Sequence, residues 1–225
     1  MPRESGSIGV LEDDEHMTRL SLEQRLVLRA PFRTPQPALF LDRDGVLIED
    51  RHHLCDPDQV KLCAGVQALV EHASQQGWPV VVITNQSGIA RGYFEWDAYG
   101  RVTERLLALL GANAPIAAIY ANGHGPDAPC TSWRKPSPAM LLAAAQELNL
   151  DLSRSLLIGD RLSDLKAGVQ AGLPWLVHVL SGHGVEERAA VDQWGTDASS
   201  ANQTCELTLL NSLLEFPHHR LQRNA

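Results

Sequence analysis

The sequence predicts an α/β fold, a doubly wound parallel sheet. Three observations carry this. Short, continuous apolar runs recur along the chain, helical stripes lie between them, and several runs end in a polar or acidic residue. Such runs suit strands buried on both faces of a parallel sheet. Their alternation with helices is the pattern of repeated strand–helix–strand units. The chain has 225 residues, 44% hydrophobic and 20% charged. One domain is therefore expected, burying roughly 70% of its unfolded surface.

Residues 1–36 read as a weakly structured leader, ending at Pro31, Pro35 and Pro37, in which Leu20 to Leu28 has the makings of a short helix. The first strand is Ala38-Leu39-Phe40-Leu41, running into Asp42. Val66, Leu69, Val70 and Ala73 keep helical spacing, and Gly77 is placed to end that helix. Val80 to Ile83 is a second strand, ending in Thr84; Tyr99, Val102, Leu106 and Leu109 form a second helical stripe; Ile116 to Tyr120 is a third strand. Ser137-Pro138 looks like an N-cap followed by proline in the first turn, with Met140, Leu141, Ala144, Ala145 and Leu148 on one face behind it. Leu156-Leu157-Ile158 is a fourth strand, leading into Gly159-Asp160. Leu165 and Val169 mark a helix closed by Gly172, and Trp175 to Leu180 is a fifth strand. The domain is thus expected to span 37–184. Residues 185–225 read as an extension packing on it: polar to Cys205, then a helix or strand at Leu207–Leu214, then frayed from His218.

Composition excludes several functions. The net charge is −8 without a basic run, which disfavours nucleic acid and anionic membranes. No stretch approaches the ~18 apolar residues of a membrane span. The first residues lack the apolar core of a signal peptide. Cysteines 55, 63, 130 and 205 show no C-x-x-C spacing, so reduced thiols in a cytoplasmic protein are expected. Asn85-Gln86-Ser87 and Asn202-Gln203-Thr204 match the glycosylation triplet, by chance on this reading.

Ligands of such sheets bind outside the carboxyl ends of the strands. There the sequence places Asp42 and Asp44, Thr84, and Asp160 and Asp164, with Arg134-Lys135 just before a helix. Converging carboxylates repel one another and raise each other's pKa unless a cation sits among them. A hard divalent ion with oxygen ligands, most simply Mg²⁺, resolves this. An isolated D-x-D-G would read as a turn after a strand; the full set does not.

Asp42-Arg43-Asp44-Gly45, Thr84-Asn85-Gln86-Ser87-Gly88, Arg134-Lys135-Pro136 and Gly159-Asp160 through Asp164 resemble, in order, the four motifs of the haloacid dehalogenase superfamily of phosphotransferases. With Ile89-Ala90-Arg91-Gly92, the set is similar to the heptose 1,7-bisphosphate 7-phosphatases and the neighbouring histidinol-phosphate phosphatases. The resemblance implies a Rossmann-like domain, capless or with a minimal cap. It implies Asp42 as nucleophile, Asp44 as general acid and base, and Thr84 and Lys135 on the transferring phosphoryl group. Mg²⁺ would be held by Asp42, the main-chain carbonyl of Asp44 and Asp160, with Asp164 a further ligand or an outer partner. Asn85, Gln86, Ser87, Arg91 and Arg134 fall to substrate binding, the two arginines on a second phosphate or on sugar hydroxyls. Asp164 also suits a helix N-terminus.

The heptose enzymes usually carry a structural zinc loop of Cys-x-His and Cys-x-Cys. At those positions stand Asn122, His124, Thr131 and Trp133, with Cys130 one place off. Four ligands are needed, so structural zinc is expected to be absent. His52, His53 and His178 have no metal partner at convincing spacing and read as nonfunctional or rim residues. The expected protein is a cytoplasmic, Mg²⁺-dependent phosphatase of a small phosphorylated metabolite, a monomer or small homo-oligomer. Histidinol phosphate or another sugar phosphate is the alternative substrate. A phosphate- or partner-binding protein that has lost turnover is the alternative of another class.

Overall fold

The computed structural model describes residues 22–200, with the side chains of 198–200 excepted, and residues 205–222. In chain order the elements are β1 (Glu23–Val27), β2 (Leu39–Leu41), α1 (Val66–Gln75), β3 (Val80–Asn85), α2 (Trp96–Leu110), β4 (Ala118–Asn122), α3 (Ala139–Leu148), β5 (Leu156–Gly159), α4 (Leu162–Gln170), β6 (Trp175–His178), α5 (Gly184–Ser200) and β7 (Glu206–Leu209). The strands form one sheet in the order β1-β4-β3-β2-β5-β6-β7. All neighbours are parallel except β1 with β4.

Alternation along the central strands divides the core in two. Leu39, Leu41, Val80, Val82, Leu156, Ile158 and Val177 pack with α1 and α2 on one face. Phe40, Val81, Ile83, Leu157 and Leu176 pack with α3 and α4 on the other, where Val191 of α5 joins them. The side-chain period of two along each strand produces this division. Between β2 and α1 the chain makes only isolated bridges, Asp44 with Ile48 and Ile48 with Leu62, and one 3₁₀ turn at Pro57–Gln59. No separate cap domain appears among the described residues.

The sheet runs past both boundaries expected from the sequence. The leader's Leu20–Leu28 is not a short helix: Glu23–Val27 is an edge strand, paired antiparallel with Asn122–Ala118. A helix this short is marginal alone, whereas the edge of β4 offers unpaired backbone groups that a strand satisfies. Residues 1–21 lie outside the described residues, as does the triplet at Asn202. The polar stretch after Gly184 is a helix, not an open tail. It has few apolar anchors, Val191 and Trp194 among them, so periodicity gave no signal. The last apolar segment is a strand: β7 extends the sheet beside β6. The stretch from His218 is not frayed, because a 3₁₀ turn at His218–Leu221 buries Leu221 completely.

Candidate active site

β2 lies between β3 and β5. The chain leaves β2 toward β3 and β4 and returns to β5 on its other side, so the topological switch point falls between β2 and β5. Leu41 is in register with Ile158. Asp42 and Asp160 follow these residues, and Asp42 N donates to Ile158 O at 3.1 Å. Sheet register alone therefore brings together two acids more than a hundred residues apart in sequence.

Asp42, Asp160 and Asp164 are all buried, with carboxylate oxygens within 4.8 Å of one another. Asp164 sits in the first turn of α4, where its Oδ2 accepts from Arg161 N at 3.1 Å and closes a capping box. Lys135 Nζ enters the cluster, 2.8 Å from Asp42 Oδ1 and 2.7 Å from Asp164 Oδ1. It also donates to Ile83 O at 3.0 Å. Asp160 Oδ2 accepts from His183 N at 2.7 Å, while Asp160 Oδ1 is buried without a hydrogen-bond partner.

The electrostatics follow from that geometry. Burial pushes the Asp42 carboxyl up to about 7, against the pull of Lys135 and with the charge of Asp164 adding to the rise. Burial, then the charges of Asp42 and Asp164, push Asp160 to about 9. Burial disfavours the Lys135 ammonium, but Asp164 and Asp42 outweigh it and hold its pKa above the usual lysine value. Two carboxyls raised this far, one with an orphaned oxygen, fit a hard cation with oxygen ligands.

Glycines make room for the acids. Gly45 (φ +85°) and Gly182 (φ +59°) face Asp160 from two sides, and a Cβ on either would overlap Asp160 Oδ2. Both also hold a left-handed backbone that side chains disfavour.

Asp44 lies beside the trio. Arg43, itself buried, grips it through Nε at 3.2 Å and Nη2 at 3.0 Å. Gln86 Nε2 donates to Asp44 Oδ2 at 2.7 Å, and Gln86 Oε1 accepts from Arg43 Nη2 at 3.0 Å. The Arg43 guanidinium stands 5.0 Å over the Tyr99 ring.

A cavity of about 560 Å³ opens above these groups, and Asp42, Asp44, Asn85, Gln86, Ser87, Arg91, Arg134, Lys135 and Asp164 reach its wall. Two expected residues do not: Thr84 and Asp160 lie beneath the floor. Thr84 is drawn in because it still belongs to β3, and its Oγ1 accepts from Gln86 Nε2 at 2.8 Å. Asn85 directs its amide at the protein: Oδ1 accepts from Lys135 N at 3.1 Å and Nδ2 donates to Lys135 O at 3.2 Å. Arg134 Nη1 donates to His124 O at 3.0 Å. Burial, and then the charges of Arg91 and Arg161, lower the Arg134 pKa, so the three guanidiniums make a cationic wall.

Sequence reasoning missed Arg43, Arg161, Asp50 and His183. The first two stand next to Asp42 and Asp160, and that adjacency was the available signal. His183 is distant in sequence from Asp50 and Asp160, which it touches. His178 is not a rim residue: it is fully buried behind Asp160. Arg188 Nε, which always carries hydrogen, donates to His178 Nδ1 at 3.1 Å. His178 Nε2 therefore carries the proton and donates to Asp160 O at 3.0 Å. Burial lowers its pKa first, with Arg188 contributing, so the ring is neutral.

The positions of the expected zinc ligands make protein contacts. Asn122 Nδ2 lies 3.4 Å from Asn85 Oδ1 and from His124 O. His124 faces Glu23 at 3.6 Å, and Trp133 packs on Tyr120 with ring centroids 5.5 Å apart. Trp133 N donates to Glu23 Oε1 at 2.7 Å, so β1 anchors the loop that carries Arg134 and Lys135.

The chain is similar in sequence and fold to known proteins. A heptose-1,7-bisphosphate 7-phosphatase of Mesorhizobium japonicum, named for the D-glycero-beta-D-manno sugar, is 46% identical over 150 residues, covering 63% of this chain and 69% of that protein. Its namesake from Photorhabdus laumondii is 34% identical over 188 residues, covering 80% and 93%. The crystal structure of D,D-heptose 1,7-bisphosphate phosphatase from B. bronchiseptica, complexed with magnesium and phosphate, superposes with a TM-score of 0.67 at 29% identity, covering 79% of this chain and 94% of that one. Residues 22–172 match the family of haloacid dehalogenase-like hydrolases. From β1 through the helix that carries Asp164, the chain belongs to the haloacid dehalogenase-like hydrolases.

Proposed function

We propose that this chain is a Mg²⁺-dependent phosphomonoesterase removing the 7-phosphate of D-glycero-β-D-manno-heptose 1,7-bisphosphate, with Asp42 as nucleophile. The convergence of Asp42, Asp160 and Lys135 at the switch point carries the reading. The names of the similar proteins support the substrate.

Asp42 and Asp160, with the main-chain carbonyl of Asp44, would hold the ion. Bound there, Mg²⁺ supplies positive charge against the phosphoryl oxygens. Asp164 has both oxygens engaged by Lys135 and Arg161 N, so its part is to hold Lys135 rather than the metal. An Asp42 oxygen bonds to phosphorus as the bond to the sugar oxygen breaks, and Asp44 delivers a proton to that oxygen. Water then attacks the aspartyl-phosphate, Asp44 takes its proton, and phosphate leaves as Asp42 is restored. Lys135 offsets charge on the phosphoryl group. Arg43 and Gln86 set the position of the Asp44 carboxylate. Thr84 acts through Gln86. Ser87, Arg91 and Arg134 face the substrate, the arginines with Arg161 taking its second phosphate. The loop from Asn122 to Trp133 is closed by protein contacts, so we infer no structural zinc there, and His124→Ala should leave the zinc content unchanged.

Phosphate release is measured with both anomers of heptose 1,7-bisphosphate, histidinol phosphate, fructose 1,6-bisphosphate and a chromogenic ester, with Mg²⁺ or EDTA. The reading requires the highest kcat/KM on the β-heptose, abolished by EDTA. It also requires Asp42→Asn to lose turnover and Asp44→Asn to lose about 10²–10⁴-fold. A preference for histidinol phosphate overturns the substrate. No Mg²⁺-dependent release from any compound overturns the enzyme.

A further inference from the structure

The cavity holds a second group of metal-binding side chains that the phosphatase chemistry does not use. Asp50, His52 and His183 offer one carboxylate oxygen and two ring nitrogens, all within 4.8 Å of one another. We propose that Asp50, His52 and His183 form a second cation site, for a transition metal of the Zn²⁺ class, at the exposed rim of the cavity.

The donor set decides the class. Two imidazoles and one carboxylate suit Zn²⁺, Ni²⁺ or Co²⁺, whereas Mg²⁺ prefers oxygen alone. Two of the three donors already face each other. Asp50 Oδ1 accepts from His52 N at 2.9 Å, which leaves Oδ2 directed at His183. His183 Nε2 stands 2.9 Å from that Oδ2, a hydrogen-bonded pair that a metal would replace, opening it to about 3.4 Å between adjacent ligands of a tetrahedral ion with bonds of about 2.1 Å. The other ring nitrogen, His183 Nδ1, faces Glu186 Oε2 at 3.3 Å. A carboxylate on the far nitrogen is the usual outer partner of a ligating histidine, and the Nε2 proton that now pairs with Asp50 would leave as the metal binds. His52 is exposed at φ 46°, and its ring lies 5.8 Å from that of His183, within reach by rotation. The site is joined to the catalytic acids, because His183 N also donates to Asp160 Oδ2.

The test uses full-length, tag-free protein in saturating Mg²⁺, titrated with Zn²⁺ against a chromophoric chelator and with Co²⁺ read by its visible absorption. Wild type should bind one Zn²⁺ and show a Co²⁺ spectrum without thiolate character. Asp160→Asn, which disables the Mg²⁺ site, should retain both. His52→Ala and His183→Gln should each weaken binding at least about tenfold, with circular dichroism confirming the fold; His52 is exposed, so its variant is the safer of the two. Zinc lost in Asp160→Asn but kept in His52→Ala would mean only replacement of Mg²⁺, and overturns the site. So does binding that follows Cys55 or Cys130, or no binding. The readout is metal affinity, so it stands whatever substrate the enzyme takes.

Discussion

Lys135 Nζ lies 2.8 Å from Asp42 Oδ1 and 2.7 Å from Asp164 Oδ1, with its third donor on Ile83 O at 3.0 Å. One buried ammonium thus satisfies a carboxylate from each side of the switch point and a carbonyl of the strand between α1 and α2. The lysine is fully engaged before substrate arrives. That gives it a fixed position, which is what stabilising a developing charge requires.

Lys135→Met should therefore damage the fold as well as the chemistry. Removing one partner of a buried ion pair typically costs about 3–5 kcal/mol, because the remaining charges stay buried. Urea unfolding at neutral pH should show a loss of that size. The loss should shrink toward pH 5, where Asp42, raised to about 7, can take up a proton. A loss below about 1 kcal/mol would show that the ammonium is replaceable by solvent.

Asn85→Ala tests the support of that lysine. Both hydrogen bonds to the Lys135 peptide vanish, at a cost of about 1–3 kcal/mol for the unpaired groups. The expected signature is a fall in kcat with KM little changed, since Asn85 directs its amide at the protein. A rise in KM alone would return Asn85 to substrate binding.

Mg²⁺ affinity should strengthen with pH. Without metal, the folded protein binds protons on Asp42 between its ordinary 3.8 and about 7, where the unfolded chain has released them. Proton uptake by the folded state means that stability falls as pH rises through this window. Metal needs the ionised carboxylates of Asp42 and Asp160, raised to about 7 and about 9, so binding releases protons from both, and the apparent affinity should rise at least about tenfold per pH unit below 7. Thermal shift with and without Mg²⁺ from pH 5 to pH 8 measures both trends. A Mg²⁺ shift independent of pH would contradict the raised pKa of Asp42.

Gly182→Ala places a methyl against Asp160 Oδ2 on a backbone at φ +59°. Destabilisation above about 1 kcal/mol is expected from the backbone alone. Asp160 must also move, so Mg²⁺ affinity and kcat should fall together. Gly172→Ala, at φ +82° with open space around it, shares only the backbone cost. Equal effects on Mg²⁺ affinity in the two variants would remove Gly182 from the metal cradle.

By itself the sequence determined the central strands β2 to β6, the helices α1 to α4 and the identity of the acids at the strand ends. These are continuous apolar runs or strong helical stripes, and burial on both faces leaves local sequence little freedom. Leu39–Leu41, running into Asp42, and Leu156–Gly159, running into Asp160, were legible for this reason. Tertiary structure decided the rest. Glu23–Val27 is a strand only because β4 offers an unpaired edge, and residues 184–200 are a helix although few apolar side chains anchor them. Arg43 is a grip on Asp44 only because Gln86 and Tyr99 close around it. Asp50, His52 and His183 meet because a loop after β2 folds against the turn after β6. Such contacts have no spacing to be read, since they depend on how the chain packs between distant segments rather than on any local period.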